Sequence, residues 1–399
     1  MKRYDEYKQT GTHWIGEIPS HWEDSRLKYI GEYINGYAFK PEDWSSEGLP
    51  IIRIQDLTES NSNPNYFKGT INEKYLIKDG DILVSWAATL AAFKWNRGDA
   101  WLNQHIFKAI PNLNINYDFF FWILRIAMKN MKNGEEHGIM MEHVTSDLFG
   151  NFPIPIPPLR EQEAIAAYLD KKCGSIDAVI STQERRIALL EELKQSVITE
   201  AVTHGINPDA KLRPSGIDWI GNIPEHWEVM PLKRTMHICN GADYKHIEAE
   251  DGYPVIGSGG IFAYASDYLF DGEALLLGRK GTIDKPLYFK GKFWTVDTMF
   301  YSIPQKFIVC KYMYYQSLNF PFDRYSTSTA LPSMTSRDLG NNDVCVPPLS
   351  EQEEIVEYIE RKIKPIDASI TKAKREIELL KELKQSVITE AVTGKIKVC

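Results

Sequence analysis

ELKQSVITEAVT, Glu192–Thr203, returns letter for letter as Glu382–Thr393, 190 positions later. An identity of that length marks a unit used twice, and the rest of the chain is arranged around the two copies. Upstream, PPLREQEAIAAYL from Pro157 and PPLSEQEEIVEYI from Pro347 keep the same shift. The apolar residues correspond one to one. Ile176, Ile180, Ile187, Leu190, Leu193, Val197 and Ala201 answer to Ile366, Ile370, Ile377, Leu380, Leu383, Val387 and Ala391. Steps of three, four and seven put them on one helix face. Glu, Lys, Arg and Gln, strong helix formers, fill the positions between. Gly174-Ser175 in one copy and Pro365 in the other predict a break, so each copy reads as a short helix followed by one of about 28 residues, roughly 42 Å long. A single stripe of this kind cannot bury itself, whereas two matching stripes can bury each other as a coiled coil.

A chain of 399 residues with 43% hydrophobic content is long enough for two to four globular units. The formal charge of -8 argues against a basic coat over the whole surface. Acidic and basic residues nevertheless balance between Val229 and Cys345. Cys173, Cys239, Cys310, Cys345 and Cys399 are scattered and form no CxxC, which points to a reducing compartment with neither zinc nor disulfides. MKRYDEYKQTG has no apolar signal region, and no run approaches 18 apolar residues. The expectation is a soluble, cytoplasmic protein.

A second repeat precedes the first. WIGEIPSHWE, from Trp14, recurs as WIGNIPEHWE from Trp219, shifted by 205, and Asn35-Gly36 recurs as Asn240-Gly241. The Trp, Ile and Pro residues of this motif read as a packing plug between strand and helix. Between each plug and the following PPL lies a variable block, about 24–155 and 229–345. PIIRI (Pro50–Ile54), DILVSW (Asp81–Trp86), ALLLG (Ala274–Gly278) and PLYF (Pro286–Phe289) read as strands. Tyr117–Met128 and Phe307–Leu318 read as helices. Trp101–Pro111 aligns with Trp294–Pro304, and Thr145-Ser146 with Thr335-Ser336. Each half is thus one mixed α/β module with a common frame and different contents. Two related readers held apart by a rod of about 42 Å suit two sites near one turn of duplex DNA, roughly 34–36 Å.

These motifs, in this order and doubled, resemble the specificity subunits of Type I restriction–modification systems. GLPIIRIQDL from Gly48, NQHIF from Asn103 and GYPVIGSGG from Gly252 add to the likeness. The resemblance covers nearly the whole chain. It implies an α+β fold of two homologous target recognition domains (1–156 and 206–346). They are separated by two long helical conserved regions (157–205 and 347–399) that pair as an antiparallel coiled coil. Ile180, Ile187, Leu190, Leu193 and Val197 would face Ile370, Ile377, Leu380, Leu383 and Val387. It further implies a bipartite, asymmetric double-stranded DNA target. Two methyltransferase subunits would dock, with restriction subunits joining through them. S-adenosylmethionine, ATP and Mg²⁺ would belong to those partners and not to this chain.

The residues point the same way on catalysis. A Walker A loop needs GxxxxGK[ST], and Gly272 to Lys280 has neither the spacing nor the hydroxyl. An amino-methyltransferase motif needs Asn or Asp before its Pro-Pro pair, where Ile156 and Val346 stand. No HExxH, other metal-ligand spacing or nucleophile elbow is present. The expectation is a non-catalytic recognition subunit. A pure assembly scaffold, or the specificity part of a fused nuclease–methyltransferase, stands as the alternative.

Base edges are read by Arg, Lys, Asn and Gln on loops, while phosphates need only cations and hydroxyls. In the first module the candidates are Arg53, Gln55, Lys94, Arg97, Asn103, Gln104 and His105, with Trp86 and Trp95 placed to stack. Gln104 and His105 align with Asp297 and Thr298, so they could instead hold the frame. In the second, Lys245, His246, Ser258 in its Gly-rich turn, Arg279, Lys280, Thr282, Arg324, Ser326 and Thr327 are the candidates.

Overall fold

The computed structural model describes residues 2–59, 63–134, 144–325 and 332–398. The chain forms two compact units: 1–182 together with 376–399, and 183–375. Each unit takes a part of both long helices.

The repeated segments are the long helices Leu159–His204 and Leu349–Val392, of 46 and 44 residues. Neither is broken where the sequence predicts. Gly174-Ser175 lies inside the first and Pro365 inside the second. A glycine costs a helix about 1 kcal/mol and a proline about 3 kcal/mol, and the apolar residues on either side return more than that by packing. The helices run antiparallel. In the first unit Lys384 Nζ lies 2.6 Å from Asp177 Oδ2; in the second, Lys194 Nζ lies 2.7 Å from Asp367 Oδ1. These are one pair made twice with the copies exchanged, as a self-complementary contact requires. Ile180, Ile370, Ile377 and Val387 are buried, and Ile187, Leu190, Val197 and Leu380 are half-buried. Leu193 and Leu383 depart from the expected stripe, with 50% and 47% of their surface exposed. Their place on the buried side is taken by Ile198 and Ile388, 1% and 2% exposed, which lie a little further along each helix.

The plug motifs close each module onto its helix. The strand Glu23–Arg26 pairs with Pro153–Ile156, and Glu228–Pro231 with Asp343–Val346, both antiparallel and in matching register. Trp22 and Trp227 are fully buried. Their indole N–H groups donate to Glu161 Oε2 at 2.9 Å and Glu351 Oε1 at 3.0 Å, the glutamates of the two PPLxEQ entries. His21 and His226 reach the same carboxylates at 2.6 and 2.7 Å. The glutamine that follows is buried in both copies. Gln162 Oε1 accepts the backbone N–H of Asn116, and Gln352 Oε1 that of Val309. Each thereby fixes the start of its module's internal helix, Tyr117–Asn133 or Cys310–Ser317. In the first unit, Lys2 bridges to Lys397, and the Tyr7 hydroxyl donates to Gly394 O at 3.0 Å.

Each block between plug and helix is sheet-rich. The first has two four-stranded sheets. In one, Ile106–Pro111 lies between Gly31–Asn35 and Ile82–Ser85, and Ala91–Lys94 follows Ile82–Ser85, all antiparallel. In the other, Ala100–Leu102 pairs in parallel with Leu49–Ile52. The second block joins the same elements into one seven-stranded sheet, because Leu287–Thr295 runs unbroken and pairs in parallel with Tyr253–Gly257. In the first block the corresponding stretch is divided by Trp95–Asp99, where Gly98 takes φ 80°. Ile54–Thr58 forms a short helix, so the expected strand at 50–54 stops at Ile52.

Candidate functional site

One end of each sheet gathers the strand-end loops, and the same hydrogen bonds hold both gatherings. The hub is the turn before the strand Ile106–Pro111 in the first module and before Met299–Pro304 in the second. Gly36 N donates to Ile106 O at 3.1 Å, and Gly241 N to Met299 O at 3.0 Å. Tyr37 N donates to Leu102 O, and Ala242 N to Thr295 O, both at 2.9 Å. Asn103 N donates to Ile52 O, and Val296 N to Ile256 O, both at 3.4 Å. Trp86 N donates to His105 O at 3.2 Å, and Arg279 N to Thr298 O at 2.8 Å. Trp86 O accepts from Val144 N at 3.0 Å, and Arg279 O from Met334 N at 2.9 Å. The Asn-Gly pair is explained here: a Cβ on Gly36 would strike the Asn103 carbonyl, and one on Gly241 the Val296 carbonyl. Backbone packed this tightly requires glycine.

The frame sorts the candidate residues. In the first module Asn103, Gln104 and His105 form the hub. Gln104 and His105 are exposed, and His105 sits in the left-handed region at φ 76°. Trp86 stacks on Phe107 with centroids 5.9 Å apart, and its N–H donates to Asn35 Oδ1 at 3.3 Å. Gln55 is exposed on the short helix Ile54–Thr58. Arg53 and Arg97 are engaged around Asp56. The Arg53 N–H and Nε approach Asp56 Oδ2 at 2.8 and 3.5 Å, and Arg97 Nη1 donates to Asp56 O at 2.6 Å. Lys94 is held away from the hub by Asp118, 2.6 Å away, with its ammonium over the Phe121 ring. Trp95 is 4% exposed and is part of the core, so it offers no stacking face.

In the second module Lys245 and His246 are exposed in a short 3-10 turn after Gly241-Ala242, and the His246 ring meets Trp294 edge-on. Ser258 lies in the turn between Tyr253–Gly257 and Gly260–Ala265. Beside that turn Ile261 and Phe262 are 53% and 56% exposed. Arg279 is half-buried, Lys280 and Thr282 are exposed, and Arg279 Nη1 donates to Asp297 O at 3.3 Å. Arg324 pairs with Asp218 at 3.6 Å. Ser326 and Thr327 lie outside the described residues. Lys40 was missed by the sequence reading. It occupies the place of Lys245 at the shift of 205, exposed on the loop that follows Asn35-Gly36.

Cys310 and Cys345 are buried, which pushes both thiols up to about 12. Among the described residues no group of three or more His, Cys, Asp or Glu could hold a metal ion, and no helix is long and apolar enough to cross a membrane.

Comparison with known proteins gives one consistent answer. The family model described as the Type I restriction modification DNA specificity domain matches twice, over residues 19–192 and 224–379. The MjaVIII specificity subunit of Methanocaldococcus jannaschii is 25% identical over 426 residues, spanning 96% of this chain and 94% of that one. The EcoBI specificity subunit of Escherichia coli is 26% identical over 250 residues, or 60% of this chain and 52% of the relative. A chain from a solved structure concerned with complex assembly and conformational transition of the type I R-M system shares the fold. Its TM-score is 0.69 at 17% identity, over 95% of this chain and 99% of that one.

Proposed function

Because this chain belongs to the family of Type I restriction modification DNA specificity proteins, we propose that it selects the DNA sequence on which such an enzyme acts. Each module reads one half of a bipartite, asymmetric target with its hub loops. The paired helices set the unread gap between the halves. They also dock two methyltransferase subunits, through which restriction subunits join. Methyl donor, ATP and Mg²⁺ are carried by those partners, and the assembly works in the cytoplasm. This chain positions duplex DNA. The methyltransferases swing the target adenine out of the stack, since chemistry on a paired base requires that it leave the helix.

The observation that supports this reading is the repeated hub. Two modules keep five backbone hydrogen bonds in common while the side chains at the rim differ. A frame conserved within one chain, with divergent exposed polar residues, is what two readers of different sequences need. Phosphate contacts alone would not call for such divergence.

Mapping methylated adenines in the host genome, with and without this gene, tests the proposal. A split motif that disappears with the gene is the expected result, and an unchanged methylation pattern would refute it. The gap is tested by adding four residues after Glu191 and four after Arg375 together. Both helices must grow, because Lys194–Asp367 and Lys384–Asp177 fix their register at two places. The gap should lengthen while both half-motifs stay as they are.

A further inference from the structure

The shared frame places Trp86 and Arg279 at one position. Each gives its N–H to the hub carbonyl and takes an N–H from the segment leading to the next short helix. Each lays a planar side chain against the phenylalanine of the adjacent hub strand. The Trp86 ring stacks on Phe107 at 28°, and the Arg279 guanidinium carbon lies 5.9 Å from the centre of the Phe300 ring. Two residues later both loops turn through the left-handed region, Ala88 at φ 55° and Gly281 at φ 79°. The loops therefore leave the sheet in the same way, and they differ in chemistry at the tip.

That difference is large. The guanidinium has five N–H donors in a fixed fork, of which one reaches Asp297 O. The guanidinium carbon lies over the Phe300 ring, Arg279 as a whole is half-buried, and Lys280 follows it exposed on the loop. A planar fork pre-set on a loop is matched to O6 and N7 of guanine. Trp86 has one donor, and Asn35 takes it. Its remaining surface is apolar and suits a thymine methyl or a groove wall.

We propose that this equivalent position is where the two modules discriminate bases: Arg279 reads a guanine in its half-site, and Trp86 makes an apolar contact at the corresponding place in the other. This rests on the DNA-recognition reading above. Lys280 and Thr282, exposed on the same loop, supply phosphate contacts that carry no sequence information.

The test replaces the gene in its host with Arg279→Lys, Arg279→Trp and Trp86→Arg in turn and maps methylated adenines. Arg279→Lys keeps the charge and removes the fork. It should relax one guanine of one half-motif, cutting preference there about tenfold or more, with the other half-motif intact. Arg279→Trp should do the same, and Trp86→Arg should create guanine preference in the other half. Uniformly weaker methylation at an unchanged motif in the Arg279 variants would make Arg279 a phosphate or structural residue and overturn the assignment. So would a wild-type motif without guanine in the half that Arg279→Lys affects, or complete loss of methylation by Arg279→Lys in a chain whose purified form melts as the wild type does. Absence of any methylation that depends on the wild-type gene would instead bring down the DNA-recognition reading, and this one with it.

Discussion

Replacing Glu161 with alanine should destabilise the first unit mainly by stranding one buried donor. Glu161 accepts from the Tyr4 hydroxyl at 2.7 Å, from His21 at 2.6 Å and from the Trp22 indole at 2.9 Å. His21 is about half-exposed and finds water when the carboxylate goes. Trp22 is 0% exposed, so its N–H is left without an acceptor. A stranded buried donor costs about 1–3 kcal/mol, and loss of the Tyr4 bond, about 1 kcal/mol, brings the expected total to about 2–4 kcal/mol. For a unit of about 200 residues each kcal/mol moves the melting point about 2–4 °C, so the unit's transition should fall by about 4–16 °C. The assay is a double-mutant cycle with Trp22→Phe, read by thermal and denaturant unfolding, with hydrogen exchange to locate the weakened region. Once the indole N–H is gone, Glu161→Ala should cost about 1–2 kcal/mol less. Equal cost in both backgrounds would refute the reasoning, since the carboxylate would then act through something other than Trp22. Glu351→Ala with Trp227→Phe should repeat the result in the second unit.

The same carboxylate predicts a pH dependence. Partial burial raises the Glu161 pKa, but the bonds from Tyr4, His21 and Trp22 outweigh it and hold the group below its ordinary 4.5. A lowered folded pKa adds stability that is present above 4.5 and is lost as pH falls through the folded value; Glu161→Gln should therefore flatten the acid limb of a plot of Tm against pH. Ala88→Gly should stabilise by up to about 1 kcal/mol and Gly281→Ala should destabilise by about 1 kcal/mol, because both positions are left-handed; chemical denaturation resolves the two signs. Along the helices, Ile377→Ala should cost about 2–4 kcal/mol and Leu383→Ala under about 0.5 kcal/mol, following their burial, as equilibrium unfolding would show.

The long helices and the two-module frame were legible because the duplication was nearly unedited. Stripes at helical spacing and the shared plug needed no contact information. The unbroken course through Pro365 was not legible, since local propensity argues for a stop and only the packing along the helix overrides it. Leu193 belongs by spacing to the stripe and yet is exposed, whereas Ile198, off the stripe, is buried in a cluster with Trp227, Tyr312 and Tyr315 of the module, a neighbour that helix spacing does not reveal. For the site, the sequence supplied Arg279, Lys280 and the hub residues but not their relation. Extending the Trp101–Trp294 alignment upstream at its own shift would have laid Trp86 on Arg279. That signal was hidden because the two loops share almost nothing except a threonine, Thr89 and Thr282. Arg53, Arg97 and Lys94 illustrate the opposite limit. A cation looks available in sequence, and only the structure shows Asp56 and Asp118 holding it.

The first unit is discontinuous, made of 1–182 and 376–399, with Gly394 set against Pro19 and Trp22. During synthesis its earliest residues must wait for its latest. The continuous second unit can finish first, although it is translated later than most of the first. Residues 1–182 must therefore stay partly unburied until 376–399 have been made, and that interval is when chaperones, or premature association with a partner, would have most to act on.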